Sequence, residues 1–176
     1  MKNQAFTLIE LLVVVLIIGI LAAIAVPQYQ KTVAKSRFMQ CMVLARAFSE
    51  AEERFYLSEG KYTADITKLD INLGPYQVLS TSGNDYASYE MENGYSVALV
   101  INGYGGYADR VDTGGNVFFG GITYYLKNPS PTVPHQEFKG LRTCAGKEKT
   151  YQEACMSLGG VYSHTSGSGT KHYILK

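Results

Sequence analysis

The hydrophobic pattern of the chain changes period along its length. From Leu11 to Val26 sixteen residues follow one another without a polar side chain, and Phe6, Leu8 and Ile9 extend the run backwards past Thr7 and Glu10. A helix from Phe6 to Val26 reaches roughly 31 Å at about 1.5 Å per residue, the thickness of a bilayer's hydrocarbon core. The run therefore predicts a membrane-crossing helix. Beyond it the apolar positions narrow to one helical stripe, Phe38, Cys41, Met42, Ala45, Phe48, Ala51 and Phe55, with Lys35, Arg46, Glu50, Glu53 and Arg54 on the opposite face. Gly60 is placed to stop a helix that ends near Leu57. One helix from Phe6 to Leu57 would be about 78 Å long. Gly19 and Pro27 are its soft points, and a kink is expected where the proline ring crowds the carbonyl of Ala23. Apolar all round in its first half and amphipathic in its second, it reads as a stalk whose outer half packs on a globular head.

After a connecting loop over Lys61–Leu73, anchored by Tyr62, Ile66, Leu69 and Ile71, the period falls to two. Tyr86–Glu92 and Tyr95–Ile101 flank Asn93 and Gly94, a hairpin signal, with Val97, Leu99 and Ile101 turned toward the helix. Gly103, Gly105 and Gly106 break that run. Asn116–Leu126 offers a third strand, with Gly120 and Gly121 marking a bulge or a split. Asn128–Pro134, with three prolines, reads as a loop. Glu148–Leu158 reads as a short helix closed by Gly159 and Gly160, Tyr162 and Tyr173–Leu175 as edge strands, and Ser163–Thr170 as a polar tip. The expected fold class is α+β: a long N-terminal helix laid against a small antiparallel sheet of three or four strands. The segments are 1–5, 6–26, 27–57 and 58–176.

Composition narrows the function classes. With 176 residues and a formal charge of +1, nothing argues for nucleic acid or acidic lipid as the main partner. Eighteen Gly and 14 Tyr without Trp suit a turn-rich β region. No nucleophile has a base at readable spacing, and Gly103–Gly106 and Gly114–Gly115 match no phosphate or dinucleotide loop, so an enzyme is not expected. His135, His164 and His172 lack ligand spacing and read as surface loop residues. Asp109, Asp112 and Asn116 are a loose oxygen cluster without the pattern of a calcium loop. No metal or cofactor is expected. Lys147, Lys149, Lys171 and Lys176 fall near aromatic residues, but Glu148 and Glu153 interrupt the patch, which reads as solvated surface.

Glu10 is the anomaly of the apolar run, since a charge at mid-membrane costs on the order of 2.5–3.5 kcal/mol on insertion scales. A secretory signal would use Met1 and Lys2 as its basic region and Ala23, Ile24 and Ala25 as its cleavage site, but Glu10 stands where its apolar core should begin. Alternatively Thr7 and Glu10 form a capping box, with Phe6 stapled onto Leu11. That explains a helix start at Thr7 but not why it lies inside an apolar span.

The string Phe6-Thr7-Leu8-Ile9-Glu10 before the apolar run resembles the N-terminal signature of type IV pilins and the related pseudopilins. The resemblance implies a leader, Met1–Ala5, removed between Ala5 and Phe6 by a prepilin peptidase that also N-methylates the new Phe6 amine. The family's leader usually ends in Gly; Ala5 is also small. It further implies that Glu10 meets the N-terminus of a neighbouring subunit and sets the stagger of assembly. Lys2 before the segment and Lys31, Lys35 and Arg37 after it leave orientation open by charge alone; the family places Met1–Ala5 inside. A looser likeness to the family's helix-to-loop segment covers Phe55-Tyr56-Leu57, Gly60-Lys61-Tyr62 and Lys68-Leu69-Asp70. Three cysteines allow three pairings. Cys41 falls on the core stripe, and the family's C-terminal disulfide implies Cys144–Cys155, a bridge worth roughly 2–3 kcal/mol.

What the resemblance implies overall is a structural subunit of a type IV pilus, serving adhesion, motility or uptake. It would be a single-pass precursor in the inner membrane and then part of an extracellular filament. Its partners would be further copies, other pilins, the peptidase and N-methyltransferase, the inner-membrane assembly machinery and, before assembly, lipid. A periplasmic pseudopilus of type II secretion is the alternative. A soluble secreted binding module cut after Ala25 is the reading from another class.

Overall fold

The computed structural model describes residues 7–72, 74–82, 85–92, 94–101, 106–111, 118–125, 127, 138 and 140–176. One helix, α1 (Leu8–Glu59), runs for 52 residues and continues through Pro27 as a single element. At about 1.5 Å per residue it is roughly 78 Å long. It ends two residues beyond the expected Leu57. Gly60 takes a left-handed φ of 71° there and its N–H donates to Tyr56 O over 2.9 Å, closing the last turn.

A single-turn 3-10 helix (Ile66–Lys68) interrupts the connector, its start held by Asp65, whose side chain accepts from Thr67 N. The sheet follows. Its strands are β1 (Tyr76–Ser82), β2 (Tyr86–Met91), β3 (Tyr95–Val100), β4 (Gly106–Val111), β5 (Phe118–Tyr124), β6 (Arg142–Gly146), β7 (Gly160–Thr165) and β8 (Lys171–Leu175), with a second helix α2 (Lys149–Ser157) between β6 and β7. All pairings are antiparallel, in the order β1-β2-β3-β4-β5-β6-β8-β7.

The fold class is α+β, as read from the sequence, but the sheet has eight strands rather than three or four. β1 escaped because it is exposed along its whole length and so shows no alternation of apolar and polar residues. β4 begins at Gly106, where the glycines suggested a break. β8 is internal, between β6 and β7, so Tyr173–Leu175 is not an edge. The β2–β3 hairpin forms as expected, from Tyr86↔Val100 to Glu90↔Ser96, with Gly94 at φ +77°. The irregularity foreseen at Gly120 is present: Asp109↔Gly121 and Val111↔Phe118 leave β5 one residue longer than β4. Asn93 and the loop Asn128–Pro134 lie outside the described residues.

The core lies between the outer half of α1 and one face of the sheet. Phe38, Phe48, Val97, Leu99 and Ile122 are buried almost completely, together with Cys41, Cys144 and Cys155. α1 packs on β4, β5 and α2. Val97 and Leu99 point into this core and Ile101 packs at its rim.

Candidate functional site

Among the described residues, nothing packs on the first half of α1. The large apolar side chains from Leu8 to Val26 are 46% to 85% exposed, on every side of the helix. Among the described residues this is the one helix long and apolar enough to cross a membrane. A band of that size is stable only against lipid or other helices.

At its start the capping box is complete. Glu10 N donates to Thr7 Oγ1 (3.4 Å), and Glu10 Oε2 accepts from Thr7 N (2.9 Å) and Thr7 Oγ1 (2.6 Å). These contacts satisfy two donors at the helix N-terminus. Each falls on Oε2. Ala5 and Phe6, the residues of the expected cleavage and methylation, lie outside the described residues, as does the staple from Phe6 to Leu11.

Besides the core, two sets of described contacts tie the outer half of α1 to the head. Nearer the apolar half, α2 lies against it: Phe38 meets Tyr151 edge to face at 5.4 Å, Arg37 Nη1 donates to Tyr151 Oη (3.1 Å), and Lys31 Nζ pairs with Glu153 Oε2 (2.9 Å). Lys31 holds the Glu153 carboxyl below its usual range. α2 is tied to the sheet by the disulfide Cys144–Cys155, with Cα atoms 5.7 Å apart. Cys41 is buried and lies outside the disulfide, as its place on the stripe implied.

At the far end, α1 meets the connector. Arg54 clamps Asp70 with two bonds of 2.7 Å, which hold the Asp70 carboxyl below its usual range. Glu53 Oε1 accepts from Tyr62 Oη (3.0 Å) and Lys127 N (3.1 Å). Tyr89 Oη accepts from Ile66 N and donates to Ala64 O. Beneath them Glu52, 3% exposed, accepts from Thr63 N over 3.2 Å. Burial pushes its carboxyl up to about 7, against the opposing effect of the Thr63 bond.

Sequence reasoning missed Glu52, although it continues the three-and-four spacing of Ala45, Phe48 and Phe55 on the buried face. It also missed the histidines. His164 and His172 sit on β7 and β8 and are paired across the ladder, so they are not loop residues; the tip that was read as Ser163–Thr170 starts only after Thr165. His135, Asp112 and Asn116 lie outside the described residues. Lys149 and Lys171 border one shallow cleft with Tyr162 and Tyr173, and Glu153 shares it.

Residues 1–26 match the family described as the prokaryotic N-terminal methylation motif. The chain is similar to the type IV major pilin protein PilE1 of Neisseria gonorrhoeae, 32% identical over 100 residues covering 57% of this chain and 59% of that protein. It is also similar to a fimbrial protein of Neisseria meningitidis serogroup A, 34% identical over 100 residues, 57% of this chain and 56% of the other. The fimbrial protein EcpC of Eikenella corrodens is 47% identical over 63 residues, 36% of this chain and 41% of the other. The chain thus spans somewhat more than half the length of the first of these relatives. These matches bear out the resemblance to type IV pilins.

Proposed function

We propose that this chain is a structural subunit of a type IV pilus. The observation that carries the reading is the bilayer-thick apolar half of α1, which no described residue of the head covers. Its similarity to type IV major pilins supports the same reading. As a precursor the chain sits in the inner membrane through this half-helix, with the head outside the cytoplasm. A prepilin peptidase cuts between Ala5 and Phe6, and the new Phe6 amine is methylated. Copies then leave the bilayer by exchanging lipid contacts for contacts between their apolar half-helices, and the heads face outward.

Glu10 gives that bundle its register. With Oε2 engaged by Thr7, Oε1 is available to the N-terminal amine of a neighbouring copy. A carboxylate and an ammonium taken out of water recover little net energy from each other. An unpaired one is costly, so the pair selects one stagger over others. Wherever the helices slide out of step, a charge is left in an apolar environment.

The experiment is mass spectrometry of the chain recovered from sheared surface fibres. The expected mature form begins at N-methylated Phe6. A chain beginning at Val26, found free in the medium, would replace the filament subunit with a secreted module.

A further inference from the structure

β7 and β8 form one end of the sheet, and their register sets His164 opposite His172. The two half-buried imidazoles lie 2° from parallel with centroids 4.6 Å apart. The Phe138 ring continues the row at 6.0 Å from His164, and Tyr125 lies 5.2 Å beyond Phe138. Nδ1 of His164 is 3.3 Å from Ser163 Oγ.

We propose that His164 and His172 form a two-imidazole chelate for a borderline divalent transition cation, with zinc as the representative and solvent completing its coordination. The ladder fixes both backbones, so the ligands are presented from adjacent strands on one face before any ion arrives. Zinc–imidazole bonds of about 2.0–2.1 Å in a tetrahedral site bring the two nitrogens to roughly 3.4 Å. From parallel rings 4.6 Å apart, convergence on one ion takes rotation of both side chains about their first as well as their terminal torsions. In the tautomer where His164 Nδ1 donates to Ser163 Oγ, Nε2 keeps its lone pair and the ring is oriented by its neighbour, as in ligating histidines generally. The described contacts of the two rings include no carboxylate. The donor set therefore selects imidazole-seeking cations and discriminates against calcium and magnesium.

The test uses the untagged full chain in detergent micelles at pH 7.5, with imidazole resonances followed by NMR as zinc chloride is added. The resonances of His164 and His172 should move together and saturate at one zinc per chain. Calcium chloride should move none of them. His164→Asn and His172→Asn should each weaken binding at least about tenfold, with the backbone amide spectrum of β6 and β8 reporting that the sheet is intact. Rings that do not move at millimolar zinc, or an affinity unchanged in His172→Asn, would overturn the proposal.

Discussion

Phe38 on α1 occupies the volume that a side chain at Gly120 on β5 would need. A Cβ built on Gly120 would stand 2.5 Å from Phe38 Cζ and 2.7 Å from the carbonyl oxygen of Ala145. The helix therefore seats on the sheet through an aromatic ring laid over a bare stretch of backbone. Gly120→Ala should destabilise the head by about 1–3 kcal/mol through overpacking. Chemical denaturation of the full chain in micelles measures this. Adding Phe38→Leu should recover only part of the loss, because the Ala145 carbonyl belongs to the backbone and cannot give way. Full recovery in the double variant would show that the ring alone sets the fit.

Cys144 and Cys155 join β6 to α2, the helix through which Tyr151 and Glu153 reach α1. Their bridge closes a short loop. Replacing both with Ser should cost about 2–3 kcal/mol on the chain-entropy estimate, and reduced wild-type protein should unfold at nearly the same denaturant concentration as the variant. The local signature is a loss of amide protection in α2 before β2 and β3. Uniform loss across the head would instead make the disulfide part of a single cooperative unit.

The helix, its cap and its buried stripe were legible in the sequence because each depends on residues three or four apart. Thr7 with Glu10, and Phe38 through Ala45 to Phe48, are relationships within one or two turns. The sheet was legible only where a strand is buried on one face. β3 shows its Val97 and Leu99, whereas β1, exposed on both faces, carries no period to read. The His164–His172 pair depends on the register of β7 against β8, including an irregularity between Tyr162 and His164, which the linear spacing of the residues does not encode. Glu52 is different. Its position was legible from the spacing, but a carboxylate does not show in a stripe read from apolar residues.

Glu52 gives the head a pH dependence of definite sign. Its carboxyl is raised from the ordinary 4.5 to about 7. Between those values the folded chain holds a proton that the unfolded chain releases. The contribution of this group is thus fully present below about pH 4.5 and is lost as pH rises through about 7. The lost stability is on the order of 3 kcal/mol. Asp70, Asp65 and Glu153 are shifted downward and produce the opposite slope at lower pH, so the comparison must be with a variant. Glu52→Gln keeps an acceptor for Thr63 N–H and removes the charge. It should be more stable than wild type at pH 8, and the two should converge toward pH 4.5. Parallel stability curves across that range would mean that Glu52 does not titrate there.

Glu10→Val separates insertion from assembly. Valine matches the apolar band and removes the charge, so the helix should insert in the inner membrane at least as well as wild type. It also removes the acceptor of the Thr7 capping box, so a fall in filament yield has two possible causes. Glu10→Gln distinguishes them, because its amide oxygen still accepts from Thr7 while carrying no charge. If the carboxylate sets stagger by meeting a neighbouring amine, both variants should accumulate in the membrane and neither should enter fibres efficiently. If the cap is what matters, Glu10→Gln should assemble nearly as well as wild type while Glu10→Val fails. The measurement is the ratio of chain in sheared fibres to chain in the membrane fraction, made in cells that also carry the wild-type copy, so that exclusion from a growing filament is scored directly. Entry of Glu10→Val at the wild-type ratio would remove Glu10 from assembly altogether.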